Sequence, residues 1–306
     1  MKVLVILASY NGVKYIEEQI DSILNQEGVN VTLKIFDDGS KDGTVNLVTS
    51  LEEYKQVHFF QNQIPTGSAA NNFFNALQSF EDCYLEEYDY VAFADQDDIW
   101  LPNKLQVATQ RLKIEKSDLY MSNLILWEEK DDKKSIINKA YPQKKFDYLF
   151  EGGSAGCTYV FSSAFGVNLK KMLKKTNYLG WKYFSHDWFT YFFARLNHYN
   201  IVIDKNAYIL YRIHDTNVHG QLNTFSFYAL KEKFKLIRNG WYFNQVEGFI
   251  KLLHPNSDDY KIYKLYSKNY LTRLYVILRY NFSLIRNPKK AIKFFIISLL
   301  PLPINK

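Results

Sequence analysis

The chain has 306 residues, 47% hydrophobic and 23% charged, an ordinary composition for a folded enzyme apart from 24 Tyr and 23 Phe. No run of eighteen consecutive apolar residues occurs, which excludes an ordinary membrane-spanning helix. The two cysteines, Cys83 and Cys157, exclude a disulfide framework and a zinc-type spacing. Of the net charge of +6, residues 225–306 hold 15 Lys+Arg against 4 Asp+Glu, which leaves residues 1–224 negative by five, so a mildly acidic body carries a basic tail.

Val3–Ala8 is an apolar run of strand length. It is too short for a signal peptide and ends in the turn Ser9-Tyr10-Asn11-Gly12 without a cleavage-like site, so it reads as a first strand. Lys14–Gln26 then repeats apolar residues at helical spacing. Val31–Phe36 predicts a second strand, closing in Asp37-Asp38-Gly39-Ser40, after which Thr44 can cap a helix to about Tyr54. Val57–Gln61 and a helix opening at Gly67 form the third unit, and Tyr90–Ala94 the fourth strand, with a helix from Pro102 to about Lys116. Four strand-helix units about thirty residues apart predict a parallel, doubly wound α/β sheet. Asp118–Trp127 reads as a strand, Glu128–Lys134 as a charged loop, and Thr158–Ser162 as a strand after a small-residue turn. Helices follow at Ser163–Lys175 and from Ser185 to Leu196, then short strands at Ile201–Ile203 and Ala207–Ile213. The boundary to a helical extension falls at Leu222–Thr224.

The stretch from Val91 to Pro102 concentrates the chemistry. Its apolar run ends in Asp95-Gln96-Asp97-Asp98, three carboxylates within four residues. Each raises its neighbours' pKa, so the cluster makes sense with a cation among them. Asp95 and Asp97, two apart on extended chain, point the same way and suit one hard divalent ion. An isolated Asp-x-Asp is more often an acidic turn with a helix cap, but carboxyl ends of strands are where open α/β sheets bind ligands.

Ser9-Tyr10-Asn11-Gly12, Asp37-Asp38-Gly39-Ser40, Asp95-Gln96-Asp97-Asp98 and His186-Asp187, each after a strand or at a helix start, together resemble the family 2 inverting glycosyltransferases of GT-A fold over roughly residues 1–220. Within that family His186-Asp187-Trp188 and Tyr211-Arg212-Ile213-His214, with Asn217 and Gly220, are most similar to bacterial rhamnosyltransferases of surface polysaccharide synthesis. The resemblance implies a Rossmann-like, mostly parallel sheet flanked by helices, with a helical C-terminal extension. It divides the chain into a catalytic domain over residues 1–222, with a nucleotide-binding half at 1–117 and an acceptor-binding half at 118–222, and a basic, aromatic extension over 223–306. It also assigns roles. Tyr10 would pack on the nucleotide base, Asp38 accept the ring N–H of uracil or thymine, and Asp37 support that turn. Asp95 would contact the ribose or the metal shell, Asp97 bind a divalent cation (Mg²⁺ or Mn²⁺) with Asp98 helping, and His214 reach the diphosphate or metal. Asp187 would be the general base, with a helix cap as its alternative role, and Gly156, Cys157, Trp188 and Arg212 would contact acceptor or diphosphate. The Gln-x-x-Arg-Trp motif of processive members is absent, which favours one sugar per encounter.

The expected partners are a dTDP- or UDP-sugar, a lipid-linked glycan acceptor and an anionic membrane, in the cytoplasm at the inner face of the cell membrane. A homodimer is the alternative use of the tail. A sugar-nucleotide nucleotidyltransferase would carry a basic, Gly-rich loop after the first strand, where only Lys14 is found. A non-catalytic sugar-nucleotide binder would have no need of both Asp97 and Asp187, and no nucleic-acid motif accompanies the tail. The run from Asp38 to Gly43 resembles half a calcium loop but has Thr49 where the twelfth-position carboxylate belongs.

Overall fold

The computed structural model describes residues 1–214 and 241–299. The Asn217 and Gly220 positions, the expected boundary at Leu222–Thr224 and the last apolar residues from Leu300 lie outside them. The chain forms two units. The first comprises Met1–Ala140, Gly153–Leu179 and Ser185–Ile213; the second comprises Tyr141–Gly152, Gly180–Phe184 and, among the described residues, His214 and 241–299. Two segments that the sequence places in the acceptor-binding half thus belong with the C-terminal helices.

In the first unit β1 (Lys2–Ser9) is buried along seven of its eight residues, as a central strand covered on both faces must be. It is followed by α1 (Ile16–Leu24), β2 (Asn30–Asp37), α2 (Thr44–Ser50), β3 (Val57–Gln61), α3 (Ala69–Ser79), α4 (Asp82–Glu86) and β4 (Tyr90–Asp95). Then come β5 (Ile99–Trp100), α5 (Lys104–Ile114), β6 (Leu119–Glu128), β7 (Lys133–Ile137), β8 (Val160–Ser162), α6 (Ser163–Leu173), α7 (His186–Leu196) and β9 (Ile201–Arg212). Among the described residues these strands make one nine-stranded sheet in the order β3-β2-β1-β4-β8-β6-β9-β5, with β7 beside β6. The first four strands are parallel neighbours, the expected doubly wound half. Beyond them the sheet mixes directions: β8 runs antiparallel to β4 and β6, β9 parallel to β6, and β5 antiparallel to β9. The core lies between sheet and helices, built on Val3, Val5, Leu7, Ile20, Ile35, Ala92 and Trp100.

Several local expectations change. Thr44 does not cap α2; Gly43 does, at φ 99°, a left-handed conformation suited to glycine. The Thr44 hydroxyl instead donates to Asp42 Oδ1 at 2.5 Å and accepts the Gly12 N–H at 2.9 Å, tying two loops together. The helix after the acids starts at Lys104 rather than Pro102, because β5 first pulls the chain into extended pairing with β9 and the Leu101 N–H donates to the Tyr208 carbonyl at 2.9 Å. The charged loop at Glu128–Lys134 is a short turn leading into β7. The two short strands expected after residue 200 are one, because a register shift opposite Ser122 and Asn123 absorbs the polar residues between them.

The second unit contains α8 (Trp241–Phe249), α9 (Asp258–Lys268), α10 (Tyr270–Leu284) and α11 (Pro288–Ser298). A buried ionic group pins it: the Arg286 guanidinium lies 3.5 Å from Asp147 and 3.4 Å from Glu151, and Glu151 also takes Lys290 at 3.0 Å. Phe150 packs on Tyr263, Tyr266 and Phe294. The helices α10 and α11 form a hairpin, closed where the Tyr270 hydroxyl donates to the Leu299 carbonyl at 2.7 Å. Among the described residues no helix is long and apolar enough to cross a membrane.

Candidate active site

Strand direction brings the polar residues together. The parallel strands β1, β2 and β4 end on one edge in Ser9, Asp37 and Asp95. Because β8 runs against β4, the loop before it, Gly156–Thr158, returns to that same edge. Parallel pairing of β9 with β6 brings Arg212 there as well.

At the first loop Tyr10 is 57% exposed, an open aromatic face. Its backbone is gripped by Gln96, whose Oε1 accepts the Tyr10 N–H at 2.8 Å and whose Nε2 donates to the Tyr10 carbonyl at 3.0 Å. A Cβ on Gly12 would lie 2.2 Å from Gln96 Oε1, so the grip requires glycine there. Asp37 is fully buried and holds its own turn, accepting the N–H groups of Gly39 (3.0 Å) and Ser40 (2.8 Å) on Oδ1 and the hydroxyls of Ser9 (3.0 Å) and Ser40 (2.5 Å) on Oδ2. Asp38 Oδ1 accepts from Asn62 (2.9 Å) and the Thr66 N–H (2.6 Å), and Oδ2 from the Gly67 N–H (2.9 Å). A carboxylate offers about four acceptor positions, so Oδ2 retains capacity for one more donor.

At the acid loop one ligand atom each of Asp95, Asp98 and Cys157 lies within 4.8 Å of the others. Burial, then the charges of Asp97 and Asp187, push Asp95 up to about 7, although its side chain keeps some exposure. Asp98 is buried, and among the described residues neither of its oxygens has a hydrogen-bond partner meeting ordinary geometry; burial and the Asp97 and Asp95 charges hold it well above the carboxylate range. Burial and the Asp98 and Asp95 charges raise the Cys157 thiol too. Behind them Lys104 is buried with its ammonium 3.4 Å from the Trp100 ring centroid, and burial lowers it to about 7 against the opposing pull of Cys157 and Asp98. Two orphaned buried carboxylate oxygens beside a second carboxylate are a donor set for a hard divalent cation, and a thiol held neutral leaves the oxygens as its ligands. Asp97, expected as the direct ligand, is outside this group. It contributes charge to both acids, while its own carbonyl accepts from Arg212 Nε at 3.2 Å.

Asp187 stands at the second position of α7. Ser185, not Asp187, is the N-cap, its hydroxyl accepting the Trp188 N–H. Asp187 Oδ1 accepts the same N–H at 2.7 Å and the Ser185 hydroxyl, and its charge reaches Asp95. His186 packs its ring 4.5 Å from that of Phe73.

Residues 4–176 match the family model described as glycosyl transferase family 2. The chain belongs to that family. It is 35% identical over 303 residues to the dTDP-rhamnosyl transferase RfbG of Shigella flexneri, covering 97% of this chain and 100% of that one. It is 30% identical over 160 residues, 51% of this chain and 58% of the other, to the Escherichia coli UDP-Glc:alpha-D-GlcNAc-diphosphoundecaprenol beta-1,3-glucosyltransferase WfgD. In fold it is similar to S. aureus TarS 1–349 in complex with UDP (TM-score 0.57, 17% identity, 98% of this chain and 89% of that one). A second fold neighbour is the mannosyltransferase PcManGT from Pyrobaculum calidifontis in complex with GDP-Man and Mn²⁺ (TM-score 0.52, 15% identity, 95% and 73%). The protein is therefore a glycosyltransferase of GT-A fold with C-terminal helices.

Within this glycosyltransferase, the four residues expected to touch acceptor or diphosphate are all buried. Trp188, Gly156 and Cys157 are buried, and a Cβ on Gly156 would meet the His186 ring at 2.0 Å, so this glycine exists to admit that ring. Arg212 is 1% exposed; its guanidinium pairs with Glu18 and Glu129 and is sandwiched between the rings of Tyr15 (4.7 Å) and Trp127 (4.6 Å). His214 follows β9 by two residues and belongs to the second unit, so its role rests on the resemblance. Gln96, Lys104 and the Glu18–Arg212–Glu129 clamp escaped sequence reading. The one local signal is Lys104 itself, a charged residue one position before apolar Leu105 on the inward face of α5.

Proposed function

We propose that this glycosyltransferase moves L-rhamnose from a dTDP donor onto a lipid-linked glycan, with inversion, in a divalent-cation-dependent reaction at the cytoplasmic face of the cell membrane. The carrying observation for the chemistry is the pair of buried, orphaned Asp98 oxygens beside Asp95 at the sheet edge. For the donor it is the full-length similarity to a dTDP-rhamnosyl transferase, and for the acceptor the similarity to a protein named for a diphosphoundecaprenol-linked sugar.

Tyr10 offers its exposed ring to the base, and Asp38 Oδ2 has one acceptor position left for the N–H that thymine and uracil share. Gln96 fixes the Tyr10 loop to the acid loop, so base and diphosphate positions are set together. Asp95 and Asp98, with Asp97 adding charge, would hold a cation, which when bound supplies positive charge to the departing diphosphate. On the other side Asp187 takes the acceptor hydroxyl's proton, a contribution of roughly 10²–10⁴-fold. Its carboxylate is oriented by the Trp188 N–H and the Ser185 hydroxyl.

A UDP-hexose donor is the second reading, favoured by the WfgD similarity, since Asp38 makes no distinction between the two pyrimidines. Donor hydrolysis across dTDP-rhamnose, UDP-glucose and UDP-N-acetylglucosamine, with and without EDTA, separates them. Hydrolysis of dTDP-rhamnose at least tenfold above the others, abolished by EDTA, is expected. Equal turnover with the chelator present would reject the cation requirement, and preference for a UDP-sugar would reject the rhamnosyl donor.

A further inference from the structure

The second unit carries an apolar surface that its own packing does not explain. On α10, Leu271, Tyr275, Leu278 (68% exposed) and Phe282 (75%) recur at i, i+4, i+7 and i+11, one narrow stripe. The residues α10 buries, Val276, Ile277 and Leu284 among them, lie on the opposite side of the helix. On α11 and its C-cap, Ile292, Ile296 (57%) and Leu299 repeat the pattern, again opposite the buried Ala291, Phe294 and Ser298. Single exposed apolar residues are ordinary, but seven in register on two neighbouring helices form a patch that needs an occupant. The bond from the Tyr270 hydroxyl to the Leu299 carbonyl joins the start of one helix to the end of the other, so both stripes belong to one hairpin.

Charge selects the occupant. From the start of α9 to Leu299, residues 258–299 contain nine Lys+Arg against two acids, Asp258 and Asp259. Lys264 and Lys268 on α9, Arg279 on α10, and Lys289 and Lys293 on α11 are exposed beside the stripes. A second copy docked through this face about a two-fold axis would set the same exposed cations against each other. A neutral apolar groove in a partner would leave them unused. An anionic bilayer satisfies both features, accepting the apolar stripe at the headgroup boundary and the cations at the phosphates. At 15 and 11 residues the helices are shorter than the ~20 needed to cross, which fits lying in the interface.

We infer that the α10–α11 hairpin is a docking surface for an anionic lipid bilayer. This deepens the reading of a lipid-linked acceptor: the face would hold the enzyme where such an acceptor is anchored, yet it binds lipid whether or not that reading stands.

The test is flotation of the full chain with vesicles of phosphatidylcholine alone or with phosphatidylglycerol, at low and high salt, together with light scattering and donor hydrolysis in solution. The parent is expected to float with the anionic vesicles and to release in high salt. Leu278→Ser with Phe282→Ser should weaken binding roughly 100-fold, about tenfold for each lost side chain, with the melting temperature and donor hydrolysis of the parent. Ile296→Ser, on the other helix, serves as the independent variant and should lose about tenfold. A parent that does not float, variants that float like the parent, or a parent dimer that the variants convert to monomer without any vesicle binding would each overturn the proposal. Failure of donor hydrolysis with flotation intact would instead bear on the proposed reaction alone.

Discussion

Replacing Arg212 by Met tests whether the acid loop is held from behind. The substitution removes a hydrogen bond to the Asp97 carbonyl, two ion pairs and two ring contacts at once. Glu18 and Glu129 are 57% and 43% exposed, so water takes over their solvation and each pair contributes only ~0–1 kcal/mol. The bond from a charged donor to the Asp97 carbonyl is worth about 1.5–3 kcal/mol, and stacking on Tyr15 and Trp127 about 0.5–2 kcal/mol each. Stability should therefore fall by roughly 3–5 kcal/mol in Met and about half as much in Lys, whose ammonium keeps the charge but cannot fork across all three acceptors. The functional effect should follow position rather than chemistry. In Arg212→Lys, half-saturation with Mg²⁺ or Mn²⁺ should rise about tenfold, a cost of ~1.4 kcal/mol, while kcat at saturating ion recovers to near the parent value. Urea unfolding and donor hydrolysis against metal concentration measure both. An Arg212→Met variant with the parent's urea midpoint and half-saturation would refute the clamp.

Asp98→Asn should leave the metal-free protein as stable as the parent or more so, because it removes one of three repelling carboxyls, but should abolish the rise in melting temperature on adding divalent ion, worth ~2.7 kcal/mol at a hundredfold excess over Kd; an undiminished rise would remove Asp98 from the ion's ligands. Because Asp95 is pushed up to about 7, a proton competes with the ion below that pH and little above it, so ion affinity measured by calorimetry should fall about 15-fold in all from pH 7 to 5.5, with a slope approaching tenfold per unit, and affinity constant over that range would contradict the assignment. Asp187→Asn should keep donor affinity and lower kcat by ~10²–10⁴-fold; transfer within a few-fold of the parent would reduce Asp187 to a helix residue.

The parts legible in the sequence are those whose signal is local. Val3–Ala8 and Tyr90–Ala94 are unbroken apolar runs because they are covered on both faces, and the polar residues that close them are adjacent in the chain. What was missed depends on partners far away. Nothing near Cys157 announces that the reversed direction of β8 delivers it to Asp98, and nothing near Arg212 announces Glu18, 194 residues earlier. Lys104 draws no assignment from the sequence, because a buried lysine is visible only through its burial. The segment Tyr141–Gly152 falls within the expected acceptor-binding half, yet its Asp147 and Glu151 anchor Arg286 and make it part of the second unit.

The pairing of β9 with β6 has a consequence for how the protein is made. The β1–β4 half is assembled from strands contiguous in sequence, whereas Tyr120 must wait for Val202, and Trp127 for Arg212. Pairings of such separation are slow, and on the ribosome they are impossible until the second strand has emerged. The nascent chain would therefore carry a folded nucleotide half with its acid loop unbraced, and only arrival of β9 would bring the guanidinium under Asp97. Pulse-labelled hydrogen exchange during refolding should find the β1 and β4 amides protected before those of β9; simultaneous protection would show that the sheet closes as one body.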